Sequence, residues 1–300
     1  MALTDLKLCH KQLLEEYLRL FSGCRLSAYA VENIYIWTGI YRVRWEIIEE
    51  CLCVFLDDGR GCFLYLPPLG ASKRKQSEAV KHCFVYMRGR NKAALGVSRM
   101  ENVPQELLFL SGNDYPARPS MREYLCSRES LIALRGNGFK SKRSCCNYFA
   151  KNYKYEYKPF QSGLRREIVG LYELWAGQRR QGLDKVYDGM IVDSLIALRK
   201  ALQAADALDY RGGALFVEGR LKGFTLGYAV DKDTFCVLYE FTDLSCRGAA
   251  QFIFREFCRS LRGYAFINVM DDSGLENLSR VKMSYRPRET LQVYSIFTRE

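Results

Sequence analysis

The chain is 300 residues long and 48% hydrophobic, enough for about two ordinary domains with buried cores. Its net charge of +11 and pI near 9.1 favour an anionic partner: nucleic acid, a phosphorylated ligand or an acidic lipid surface. No run approaches the roughly 20 apolar residues that cross a bilayer, which excludes a spanning helix and leaves only peripheral membrane contact.

Twelve cysteines lie scattered through apolar segments, Cys53, Cys83, Cys236 and Cys258 among them, and no secretory leader precedes them. Reduced thiols in a cytoplasmic protein are therefore expected. Cys51-Leu52-Cys53, Cys145-Cys146 and the two histidines, His10 and His82, lack zinc-ligand spacing, so no metal is expected.

Residues 6–21 place Leu13, Leu14, Tyr17, Leu18 and Phe21 at helical spacing, and residues 27–37 predict a second short helix with Asn33 and Trp37 on one face. Strand-like runs at 45–56 and 61–66 are split by a hairpin turn at Asp57-Asp58-Gly59-Arg60, and Pro67-Pro68-Leu69-Gly70 ends the second. The pattern then predicts a helix at 76–88, a strand at 93–97, a helix at 104–111 and a strand at 124–134.

From Arg135 to Arg166 nine Lys and Arg residues face a single acid, Glu156. Gly136-Asn137-Gly138 reads as a loop, Ser141 as the cap of a helix reaching 152, and Tyr153, Tyr155 and Tyr157 as an alternating strand. Lys140, Lys142 and Arg143, interleaved with aromatics, suit a nucleic-acid surface; a solvated helix face beside such a strand gives the same pattern. Helices at 164–178 and 191–204 precede a strand at 213–218.

The last third carries the strongest signals. Strands at 224–230 and 235–239 flank an Asp231-Lys232-Asp233 turn, and Ser245-Cys246-Arg247-Gly248-Ala249-Ala250 leads into a helix at 251–261 with Ile253, Phe257 and Leu261 on one face. An apolar run at 265–269 follows, then a helix through Leu278, Lys282 and Tyr285 that Pro287 ends, then a strand at 291–297.

That order resembles the core of GNAT-type acyltransferases, and the first half of the chain repeats most of it. The expected fold is thus α/β: two tandem GNAT-like domains, 1–135 and 136–300, each a mixed, mostly antiparallel sheet flanked by helices. A GNAT donor loop sets small residues at a helix N-terminus to meet a pyrophosphate, which nominates Gly248, Ala249 and Ala250, with Asn268 nearby; Ser245 stands where Gln or Arg is expected. Acyl transfer needs a base and an acid. Glu240 or Asp243 would be the base, Tyr285 the acid, and Lys282 the charge that meets a phosphate or oxyanion. Each also has a structural explanation: Tyr285 as core, Lys282 as helix surface, Glu240 as an ion-pair partner.

Three stretches carry a closer resemblance: Asn33-Ile34-Tyr35-Ile36-Trp37; Glu123-Tyr124-Leu125 through Leu134-Arg135-Gly136 to Lys142-Arg143-Ser144; and Asn268, Asp272, Gly274, Leu278, Lys282, Ser284-Tyr285 and Pro287. Together they resemble an uncharacterised family related to the C-terminal soluble domain of phosphatidylglycerol lysyltransferases. The resemblance implies a tandem GNAT fold and acyl or aminoacyl transfer to an amine or hydroxyl; the tandem domains, the basic surface and the family relation suggest aminoacyl-tRNA as donor substrate, the Gly248/Ala250 loop suggests acyl-CoA instead, and no tightly bound cofactor is expected. The alternative is a non-catalytic module of the same fold that binds an anionic ligand or RNA. Phe241 after Glu240, and Val269-Met270-Asp271 before Asp272, depart from the family pattern.

Overall fold

The computed structural model describes residues 1–92, 97–179 and 185–298. In chain order it runs β1 (Thr4–Asp5), α1 (Lys11–Leu18), α2 (Val31–Ile36), β2 (Arg42–Ile48), β3 (Cys51–Asp57), β4 (Cys62–Leu64), α3 (Lys73–Arg90), β5 (Arg99–Pro104) and β6 (Ala117–Ser127). It continues through α4 (Arg128–Ala133), α5 (Lys140–Asn152), β7 (Tyr155–Pro159), α6 (Arg165–Arg179), α7 (Lys185–Ala204), β8 (Arg211–Val217), β9 (Arg220–Ala229) and β10 (Thr234–Thr242). The last elements are α8 (Ala249–Ser260), β11 (Phe266–Asp271), α9 (Glu276–Met283) and β12 (Glu289–Phe297). Two compact units result, Met1–Glu123 with Leu291–Glu300, and Tyr124–Thr290. The sequence reading set its division at 135/136; the contacts divide the chain inside β6 and return β12 to the first unit.

In the first unit the strand order is β1-β2-β3-β4-β5-β12, antiparallel except for the parallel pair β4 and β5. Strand β3 is buried from Cys51 to Leu56 and forms the centre of this core. The single strand expected at 45–56 is in fact two, because Glu49 and Glu50 take φ of 50° and 58° and close a two-residue hairpin with Ile48 opposite Cys51. Such a turn is usually marked by Asn-Gly, so Glu-Glu gave no warning. The turn expected at Asp57–Arg60 does join β3 to β4, with both aspartate carboxylates accepting backbone N–H groups from Gly59, Arg60 and Gly61. The strand expected at 93–97 lies, but for Val97, outside the described residues. The helix expected at 104–111 is a 3₁₀ segment, Gln105–Ser111.

In the second unit the order is β6-β11-β10-β9-β8-β7, with β10 and β11 parallel and splayed beyond three paired residues. The strand expected at 124–134 ends at Ser127, whose hydroxyl caps α4 by accepting from the Ser130 N–H. Ser141 does not cap α5, which begins one residue earlier behind Phe139. Helix α8 buries Phe254, Phe257 and Cys258 against Phe235, Val237 and Ile267, and Ile253 against Leu215 and Val217, on one face of the sheet. Each large apolar side chain so buried contributes roughly 1.5–3 kcal/mol. Helices α4 and α5 pack beside α8. On the opposite face, Phe241 meets Tyr172 of α6 at 5.1 Å, and the Tyr239 hydroxyl donates to the Ser194 carbonyl of α7.

Candidate functional site

Strand β10 does not alternate evenly. Its pairing with β9 slips between Val237 and Tyr239, so Leu238 is an extra residue. The bulge moves the even-numbered positions that follow onto the α8 face, and Glu240 consequently lies there, near Cys258 and Lys142. Glu240 keeps some accessible surface, yet protein surrounds its carboxyl closely enough that burial pushes its pKa up to about 8; the Lys142 ammonium pulls it down, but less.

Lys142 reaches this position from α5, where it shares a helical stripe with buried Cys146 and Phe149. Its ammonium stands 4.2 Å from the centre of the Tyr285 ring, a cation–π contact, and burial lowers its pKa while Glu240 raises it. Tyr285 packs edge-on against Phe254, and burial, reinforced by Glu240, holds its phenol well above the ordinary value. It lies just past α9, which ends at Met283, rather than inside a helix that Pro287 stops.

The side chains of Glu240, Lys142 and Tyr285 make no hydrogen bond or ion pair among the described residues. Each keeps some accessible surface, and together they bring a carboxyl, an ammonium and a phenol to one place beside the bulge. Lys142 was expected on a nucleic-acid surface. Its place on the buried stripe of α5 was the available signal, masked by the basic residues around it.

Other expected site residues are occupied in other ways. Asp243 is 3% exposed and accepts from the Lys222 ammonium (2.6 Å), the Gln178 amide, and both the N–H and hydroxyl of Ser245. Burial raises its pKa, but these donors outweigh burial and hold it well below the carboxylate range, so Asp243 is held as a paired anion. The Lys282 ammonium donates to the carbonyls of Val269 (2.7 Å) and Asp271, which ties α9 to the end of β11. Asn268 is fully buried, and its amide oxygen accepts the Met270 N–H where the chain turns at φ 62°. Asp272 accepts from the Tyr124 hydroxyl and the Gly274 N–H. The C-terminal signature thus largely builds one strained loop that delivers Tyr285.

The expected phosphate loop is likewise closed on itself. The Leu244 N–H goes to Gln178, Ser245 to the Asp243 carboxylate, Cys246 to the Asp243 carbonyl, Arg247 to the Tyr153 hydroxyl, and Ala249 to the Cys246 carbonyl. Gly248, at φ 86°, has the Cys145 carbonyl only 2.4 Å from where a Cβ would sit, and Ala249 is fully buried, while Ala250 is half-buried. The glycine serves helix packing against α5 and leaves no open cradle at that point. Of the expected nucleic-acid residues, Lys140 is exposed, whereas Arg143 donates to the carbonyls of Leu134 and Gly136 beyond α4.

A splayed, bulged mixed sheet with helices on both faces is the architecture of a GNAT-like fold. A tandem GNAT protein from the clavulanic acid biosynthesis pathway aligns over 99% of this chain and 98% of its own, with TM-score 0.52 and 9% identity. A conserved protein of unknown function from Bacteroides thetaiotaomicron VPI-5482 aligns over the whole of both chains with TM-score 0.87 and 23% identity. L-PGS from Bacillus licheniformis aligns over 96% of this chain and 91% of its own, with TM-score 0.64 and 15% identity. Residues 24–297 match the family model for phosphatidylglycerol lysyltransferase, C-terminal, and the chain belongs to that family. No curated protein matches it by sequence. Among the described residues no helix is long and apolar enough to cross a membrane.

Proposed function

We propose that the chain transfers an aminoacyl or acyl group from an ester donor to an amine or hydroxyl acceptor, with Glu240, Lys142 and Tyr285 as the reacting constellation. The single observation behind this reading is the convergence of these three side chains at the β10 bulge. The acceptor attacks the ester carbonyl carbon and gives its proton to the Glu240 carboxylate. The ester C–O bond then breaks, and Tyr285, whose phenol stays protonated at neutral pH, gives a proton to the leaving hydroxyl; the proton on Glu240 returns to Tyr285 through solvent. Lys142 offsets negative charge on the carbonyl oxygen as it forms.

For the donor we favour aminoacyl-tRNA over acyl-CoA. In the loop that would cradle a CoA pyrophosphate, the N–H groups of Leu244, Ser245, Cys246, Arg247 and Ala249 are committed internally, and the α5 backbone crowds Gly248. Family membership points the same way, since the family is named for a lysyl transfer. The test is to incubate the protein with a pool of radiolabelled aminoacyl-tRNAs or with acetyl-CoA, plus small amine and glycerol-type acceptors, and follow label release. Accelerated, Glu240-dependent release from the tRNA ester supports the proposal. Release from acetyl-CoA alone overturns the donor assignment, and release from neither leaves a binding module.

A further inference from the structure

On the sheet face opposite Glu240, α6 and α7 run antiparallel, with Arg165 paired to Asp206 at 2.6 Å and Glu173 to Arg199 at 2.9 Å. That register sets Asp193 beside the last turn of α6. Leu174, Val192 and Ile196 stand out at this end, 45%, 47% and 36% exposed. At the other end Val169, Gly170 and Leu202 line an open groove of about 360 Å³. Leu174 follows Gly170 by one helical turn, and Val192, Ile196, Arg199 and Gln203 recur along one stripe of α7, so the knobs and the groove share a face.

The charges are ordered along the same face. Asp193, beside the knobs, and Arg166, at the groove, are both exposed, and neither has an ion pair among the described residues. Between them Glu173 and Arg199 neutralise each other. Single exposed apolar residues are ordinary, but three on one two-helix face, with a groove and free charges of opposite sign at opposite ends, form a surface complementary to itself. Leu174 lies about 7 Å along α6 from the groove at Val169 and Gly170, at ~1.5 Å per residue. A twofold axis midway between them, at the level of Leu171, sets Leu174 over the groove of a second copy. The same axis brings Arg166 level with Asp193 of that copy. Gly170 leaves room for the knob, since a Cβ there would meet nothing within 4 Å.

We propose that the outward face of α6 and α7 is the contact surface of an isologous homodimer. Leu174 and Ile196 of each copy fill the groove of the other, and Arg166 pairs with Asp193 across the axis. A polyanion is a poor fit, because Glu173, Asp193 and Asp206 match Arg165, Arg166 and Arg199 on this face.

The test is sedimentation velocity on the full chain across a dilution series. A reversible monomer–dimer equilibrium is expected, with a limiting mass twice 34.7 kDa. Leu174→Arg should weaken the dimer roughly 30-fold or more, while circular dichroism and the melting temperature of the dilute protein hold. Arg166→Glu and Asp193→Arg, each setting like charges against each other across the axis, should weaken it about tenfold. The two together in one chain should restore it, because both pairs re-form with reversed sign, which a general effect of surface charge would not do. A monomer at every concentration, open-ended higher oligomers, a dimer indifferent to Leu174→Arg, or a double variant no tighter than the single ones overturns the proposal. None of these readouts uses ester transfer, so the outcome is separate from that of the Glu240 site.

Discussion

In the proposed transfer Glu240 is the residue on which chemistry and stability meet, and they pull in opposite directions. Burial raises its pKa to about 8 from an ordinary 4.5, so the folded state favours the neutral carboxyl. That contribution to stability is complete below the ordinary value and is lost as pH rises through about 8. The melting temperature of the native protein relative to Glu240→Gln should therefore fall between pH 5 and pH 9, as thermal denaturation across that range would reveal. A base works only when ionised, so the transfer rate should rise over the same window with a midpoint near 8 and flatten in Glu240→Gln, about 10²–10⁴-fold lower. Lys142→Met removes the cation that draws the pKa down, and the midpoint should move upward; an unmoved midpoint would show that the titrating group is another residue. Sequence pattern exposed Glu240 and Tyr285 as candidates because strand ends and family spacing are local. It could not expose Lys142, whose importance depends on a neighbour 98 positions away, nor that Asp243 and Lys282 are consumed by Lys222, Gln178, Ser245 and two carbonyls.

At the scale of elements, two turns carry measurable strain. Glu49 and Glu50 hold left-handed backbone that Asn and Gly adopt readily, at the cost of exposed contacts to His82 and Lys75 worth little in water. The double substitution Glu49→Asn with Glu50→Gly should stabilise the protein by about 1 kcal/mol in urea unfolding. Gly248→Ala should do the reverse. Its Cβ would meet the Cys145 carbonyl at 2.4 Å in a backbone conformation of φ 86°, and a loss of roughly 1–3 kcal/mol is expected in the same measurement. If the loop were instead an open phosphate cradle, alanine there would be tolerated and donor binding alone would suffer. Helix α8 was plain in the sequence because Ile253, Phe257 and Leu261 recur at helical spacing and all are buried. Strand β5 and helix α4 were not, because Arg99–Pro104 mixes charged and apolar residues without alternation, and Arg128–Ala133 is too short for its period to stand out.

At the scale of the whole molecule, β12 is the element that local pattern assigns wrongly. It follows the second unit in sequence, yet it pairs antiparallel with β5 and buries Val293 and Ile296 completely in the first. Ending the chain at Thr290 should consequently destabilise the first unit, and limited proteolysis should cut within residues 1–123 before it cuts the second; equal resistance of both would place β12 as dispensable. The sequence by itself determined the α/β class, the order of elements through the last third and the family, since periodicity, turn residues and motif spacing are properties of neighbours along the chain. Only the tertiary structure decided which strand completes which sheet, that the Gly248 loop is filled by α5, and that Lys142 rather than Lys282 joins Glu240 and Tyr285. Those are properties of neighbours in space, fixed by a one-residue bulge in β10 and by the packing of α5 on α8, and no residue spacing encodes them.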